Sequence, residues 1–295
     1  MRSKILVRVV LFGLFLLSGC AAAQTGSQND APPAQIYIQN KGSDTMVNLA
    51  LAWAERYQNE HPEVSISVTG GGTGTGITSL IDGTIDIGNA SRAVKQEEID
   101  EALKLNTELN QIVVARDAIA VIVHPDNPVN QLTLEQISAI FRGEITNWSE
   151  VGGEDRPIVK LSRETNSGTH VYFLERVVRL DSKENKFLFS ADTLLLPSSE
   201  GIISETAENP NAIGYDGLGY VTPHVKVLAV ADTDSDAFIL PSVETVNDGS
   251  YPISRDLYMI TRGTPEGQVK AYIDWILSDD AQQIVTELGF VPVIR

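Results

Sequence analysis

The chain has 295 residues, with 39 acidic and 22 basic side chains, a formal net charge of −17 and a single cysteine. So acidic a surface argues against nucleic acid, which demands a basic stripe, and one thiol rules out an internal disulfide, so the fold must hold by its core. An anionic ligand gains no long-range attraction from such a molecule, and any anion site must be made locally from dipoles and a few placed cations.

Arg2, Lys4 and Arg8 precede an apolar run from Val9 to Leu17, followed by Ser18, Gly19 and Cys20. This is the pattern of a secretory signal peptide over residues 1–19, and the run is too short to span a bilayer. Leu17-Ser18-Gly19-Cys20 resembles a bacterial lipobox, which implies that Cys20 becomes the lipid-modified (palmitate-bearing) first residue of the mature protein. Removing three basic residues leaves 19 against 39 acidic, a net charge near −20. Residues 20–35 then form the lipid anchor and a polar, Pro-containing flexible tether. The folded part begins near Ile36, and its length suits two modest lobes better than one core.

From there helices and strands alternate. Ile36–Ile38 predicts a strand, and Met46–Asn59 a helix with Val47, Ala50, Leu51, Ala54 and Tyr57 on one face. Val64–Val68 alternates as a strand, Ile77–Ile81 opens a helix, and Ile85–Gly88 reads as a buried strand. Glu97–Leu105 is helical; Ile112–Val114 and Ala118–Val123 are strongly β-branched. The rhythm predicts an α/β domain with a largely parallel sheet. After His124–Pro128 the pattern restarts: helix Leu134–Phe141, strand Val159–Leu161, helix Val171–Val178, then strands at Ile213–Tyr215 and Val225–Leu228. A strand over Leu257–Ile260 and helices over Val269–Leu277 and Ala281–Leu288 complete the chain.

Three segments place glycine or small hydroxyl residues just ahead of a helix: Gly42–Thr45, Gly70–Gly76 and Arg163–Thr169. A helix N-terminus exposes unpaired N–H groups and partial positive charge. Glycine admits a ligand to the backbone, and Ser or Thr adds rotatable donors. Three such ends aimed at one point would bind an anion without a metal, with Arg163 supplying a guanidinium fork. Each segment alone is equally an ordinary helix cap. The glycine-rich loop fits neither G-x-G-x-x-G in any register nor a P-loop. The four histidines are scattered with no metal-ligand spacing, no G-x-S-x-G elbow surrounds a serine, and no metal, cofactor or catalytic residue is expected.

The strings KGSDTM, DIGNASR (Asp86–Arg92), FRGEITNW (Phe141–Trp148), SRETNSGT (Ser162–Thr169), AIGYDGLGYV (Ala212–Val221) and YPISRDLYMIT (Tyr251–Thr261) occur in collinear order. Together they resemble the phosphate-binding proteins of bacterial phosphate ABC transporters, over nearly the whole mature chain. The resemblance implies a type II periplasmic-binding-protein fold: two α/β lobes joined by crossover strands, with a hinge between them. Lobe I would hold residues 36–116 plus 251–295, and lobe II residues 117–250. The ligand positions it implies are Ser43, Thr45, Thr73, Ser91, Arg163, Ser167, Gly168 and Thr169, with Asp44 a weaker candidate. One departure stands out: Arg92 occupies the place where longer members carry a carboxylate after Ala-Ser. Arg92 is then either a second cation on the anion or an ion-paired residue. A buried acceptor admits protonated phosphate and repels sulfate, a task that falls here to Asp44 or Glu164.

The expectation is an extracytoplasmic, lipid-anchored, monomeric receptor that binds inorganic phosphate between its lobes and hands it to an ABC permease, with the membrane reached through the lipid on Cys20. Rival readings are a receptor for sulfate, molybdate or tungstate, and an enzyme acting on phosphate esters.

Overall fold

The computed structural model describes residues 35–293. The signal segment, Cys20 and the tether lie outside them. Strands β1 (Ile36–Gly42), β2 (Val64–Thr69) and β3 (Ile87–Ala90) are mutually parallel with β1 in the middle. Helix α1 (Val47–Glu60) joins the first two and helix α2 (Thr73–Ile81) leads to the third. The helical spacing of Leu49, Ala50, Trp53, Ala54 and Tyr57 gives α1 one apolar face, and all five are buried. Helix α3 (Gln96–Lys104) follows.

The two β-branched runs merge into one long strand, β4 (Leu109–Val123). Its residues from Leu109 to Ala118 pair antiparallel with β11 (Ser254–Arg262), and those from Ile119 to Val123 pair antiparallel with β8 (Ala212–Gly217). A single strand thus carries the sheet from one lobe into the other. Between β4 and β8 the chain makes β5 (Gln131–Thr133), α4 (Leu134–Arg142), β6 (Val159–Arg163) and α5 (Gly168–Phe173), the last extended by a wider turn over Leu174–Val178. β7 (Leu194–Leu196) and α6 (Ser199–Glu208) come next. After β8 come β9 (Lys226–Val227), β10 (Ala229–Ala231) and α7 (Val243–Asn247), and beyond β11 the helices α8 (Gly267–Ile276) and α9 (Asp279–Glu287).

The main sheet runs β2-β1-β3-β11-β4-β8-β6-β7, with β9 also on β4, while β5 and β10 form a separate parallel pair. It is mixed rather than largely parallel, because β11 returns from the far end of the chain and lies antiparallel to both β3 and β4. One core gathers Trp53, Tyr57, Met259 and Tyr272. A second surrounds Phe141, Phe173 and Tyr215, the last two stacked with ring centroids 3.5 Å apart. Two local expectations shift. Helix α2 begins at Thr73 rather than Ile77, and α5 begins at Gly168, so hydroxyl residues read as loop stand in the first helical turns. Among the described residues no helix is long and apolar enough to cross a membrane.

A candidate anion-binding cleft

Strand ends and helix starts meet where β4 passes between the lobes. From the loop after β1, Ser43 Oγ donates to Ser91 Oγ at 2.8 Å, and Ser91 is 3.3 Å from Thr73 Oγ1 at the start of α2. The Ser91 N–H also donates to Thr73 Oγ1. These three hydroxyls are buried, at 2 % exposure or less. From the other lobe Thr169 Oγ1 pairs with Thr45 Oγ1 at 2.8 Å, and Ser167 Oγ accepts from the Thr169 N–H as the cap of α5. A Cβ on Gly168 would lie 2.4 Å from Thr73 Oγ1 and 2.5 Å from Ser91 Oγ, so only glycine permits this approach. Ser43, Thr45, Thr73, Ser91, Ser167, Gly168 and Thr169 are therefore one contiguous cluster, drawn from four loops.

Arg163, at the end of β6, is 1 % exposed beside this cluster. Its Nη1 donates to Ser199 Oγ (2.8 Å) and to Asp216 Oδ2 (3.3 Å); its Nη2 donates to Asp44 Oδ2 and to the Pro197 carbonyl, both at 2.9 Å. Four of the five guanidinium donors are thus committed, and Nε is buried with no partner. Asp44 is held from several directions. Its Oδ1 accepts from the Gly71 N–H at 2.9 Å, and its carbonyl accepts from Tyr220 Oη at 2.7 Å. Asp216 is fixed by Ser199 Oγ and its neighbour's Gly217 N–H.

A second buried cation was not anticipated. Arg255 on β11 donates to Asp117 Oδ2 at 2.8 Å, to the Ser91 carbonyl at 3.0 Å and to Thr45 Oγ1 at 3.4 Å. Asp117 is its registered neighbour on β4 and also accepts from the Leu218 N–H. Burial pushes the Asp117 carboxyl up to about 6, against the lowering effect of Arg255 and with a further upward push from Asp216. The signal available in the sequence was Arg255 within YPISRDLYMIT; the partner, 138 residues away, was not legible.

Arg92 is not drawn into the cluster, although Ser91 beside it is. Its guanidinium forms two hydrogen bonds to Glu98, at 2.6 and 2.8 Å, and one to the Ala93 carbonyl. Burial alone would raise the Glu98 carboxyl, but the bonds and charge of Arg92 bring it below its ordinary value. Of the two readings of Arg92, the geometry realises the ion pair. Glu164 is exposed and contributes only backbone bonds, to Leu196 and Ser167. A separate cavity of about 800 Å³ is lined by Asn48, Glu200 and His224 among others, and by Tyr220, whose hydroxyl donates to the Asp44 carbonyl.

Hydroxyls and a buried guanidinium converge between two lobes, donor groups of the kind that suit a small oxyanion in a two-lobed receptor. Comparison with known proteins agrees with that class. Residues 25–280 match the PBP superfamily domain. The chain is 31 % identical to the phosphate-binding protein PstS of Pseudomonas aeruginosa over 87 % of its length and 83 % of that protein. It is also 31 % identical to PstS of Bacillus subtilis, over 99 % of this chain and 95 % of the other. A structure from Clostridium perfringens, described as a phosphate ABC transporter substrate-binding protein and solved with bound phosphate, superposes with a TM-score of 0.77. It is 34 % identical and covers 88 % of this chain and 100 % of its own. The chain belongs to the PBP superfamily, in the family of phosphate ABC transporter substrate-binding proteins. It has the type II periplasmic-binding fold, and it is a binding protein rather than an enzyme.

Proposed function

We propose that the chain captures inorganic phosphate in this cleft and delivers it to an ABC permease. The observation that carries the reading is the convergence of Thr73, Ser91 and Thr45 of one lobe on Gly168, Thr169 and Arg163 of the other. Such a cradle replaces the water of a tetrahedral anion with fixed donors and needs no metal. Ligand bridging the two faces is what favours closure. Lobe I takes residues 36–116 and 251–295, lobe II residues 117–250, and the crossing at Ala118–Ile119 of β4 supports that division. Ser43, Asp44, Thr45, Thr73, Ser91, Arg163, Ser167, Gly168 and Thr169 line the site, and Arg92 stands apart from it, paired with Glu98. Cleavage after residue 19 and lipidation of Cys20 hold the monomeric receptor at the outer face of a bacterial membrane.

The charges favour phosphate over sulfate. Arg163 and Arg255 face Asp44, Asp117 and Asp216, so two cations meet three carboxylates. A carboxylate in excess suits an anion that brings its own proton and opposes one that cannot, because lone pair would face lone pair. Calorimetric titration with phosphate, then with sulfate, tests the reading. Tight phosphate binding that excess sulfate does not displace is expected. Arg163→Ala should weaken binding at least tenfold, the effect of losing a charge-assisted hydrogen bond of ~1.5–3 kcal/mol. Retained affinity in that variant would remove Arg163 from the site.

A further inference from the structure

The glycine-rich turn after β2 looks, from its composition, like a surface for the ligand. In the structure it receives a side chain of the opposite lobe instead. Asn166, in the loop between β6 and α5, donates from Nδ2 to the Gly71 carbonyl at 3.0 Å. Its own carbonyl accepts from the Gly74 N–H, also at 3.0 Å. Gly72 stands between these two bonds with φ +89°, and a Cβ there would lie 2.8 Å from the Asn166 carbonyl oxygen and 3.1 Å from its Cγ. A Cβ on Gly74 would meet the same oxygen at 3.4 Å. Two features of the loop, its left-handed backbone at Gly72 and its bareness, are thus accounted for by the approach of Asn166.

We infer that Asn166 is a latch that fastens the closed cleft without touching the anion. Asn166 sits directly before Ser167, Gly168 and Thr169, so holding it against the Gly71–Gly74 turn also holds those three against Thr73 and Ser91. Both latch bonds join lobe II to lobe I, and separating the lobes breaks them together. They therefore stabilise the closed state alone, and a closed-state bond governs how slowly ligand leaves rather than how fast it arrives. Asn166 is a positioning residue, and the ligand half of its test rests on the phosphate reading above.

The experiment compares full-length wild type, N166A and G72A. Release of inorganic phosphate is followed by stopped-flow tryptophan fluorescence, and the radius of gyration is measured by small-angle scattering. N166A should release phosphate about tenfold faster with an association rate within twofold of wild type, and its ligand-free melting temperature should be unchanged. G72A should also release phosphate faster, through its clash with the backbone carbonyl of residue 166, which N166A leaves in place. An unchanged release rate in N166A, or in G72A, overturns the latch. Wild type that binds no phosphate defeats the functional reading instead. The latch is then judged by scattering under the same conditions, where N166A must be the more extended protein, and equal radii overturn it.

Discussion

At the scale of single residues, the proposed phosphate site turns on the arrangement around Arg163. Asp44 Oδ2 occupies Nη2, and the neighbouring donor on the same edge of the guanidinium, Nε, has no partner. That edge is the fork a tetrahedral anion grips, so an oxygen seated on Nε comes next to a carboxylate oxygen. A protonated phosphate oxygen can donate to it; sulfate has nothing to donate. Asp44→Asn should therefore cut the preference for phosphate over sulfate at least tenfold in a competition titration. An unchanged ratio would move the discrimination elsewhere. The sequence made Asp44 visible, because it stands inside a recognisable hydroxyl segment. Ser43, Thr45 and Thr73 were visible for the same reason, each in a glycine or hydroxyl segment ahead of a helix, whereas Ser91 was named only through the family resemblance. Asn166 was not, since its partners are chosen by how two loops 95 residues apart meet.

At the scale of elements, the crossover strand β4 and its antiparallel neighbour β11 matter most. Their two β-branched runs and the strand Leu257–Ile260 were legible as strands; that one runs unbroken through both lobes, and that the other lies antiparallel, was not. Period-two alternation reports burial, and β4 is buried on both sides of Ala118–Ile119, so nothing in the pattern marks the crossing there. Helix α6 was missed because its apolar positions are few, with Ile202 and Ile203 carrying the packing. The buried Asp117–Arg255 pair lies next to that crossing. The native carboxyl holds its proton up to about pH 6, while the unfolded one releases it near 3.8. Between those values the native state binds more protons, so this group's contribution to stability falls as pH rises, by on the order of 3 kcal/mol. Asp117→Asn should flatten that part of the profile in urea unfolding at pH 4 to 7, while lowering stability overall by leaving Arg255 unpaired. Parallel profiles for variant and wild type would mean that Asp117 stays ionised throughout.

At the scale of the whole molecule, a net charge of −17 confronts an anionic ligand. The field opposes approach while the cleft supplies the local donors, and the two act at different ranges. Raising salt from about 10 to 150 mM shortens the Debye length from roughly 30 to 8 Å, which screens the repulsion more than the contacts at the cleft. The association rate for phosphate should therefore rise with salt, as read by stopped-flow. A fall would show that Arg163 and Arg255 steer the anion despite the global charge.

The place of β11 has a consequence for how the protein comes into being. It lies between β3 and β4 in the sheet, yet it is made after everything between residues 124 and 253. A ribosome that has delivered β1 to β4 has supplied three parallel strands and a fourth with no neighbour to bridge them. The first lobe cannot close until the second has been synthesised in full and the chain has come back past Arg262. The order of synthesis thus leaves the first lobe's sheet without the strand that joins β3 to β4 until only the last two helices remain to be made.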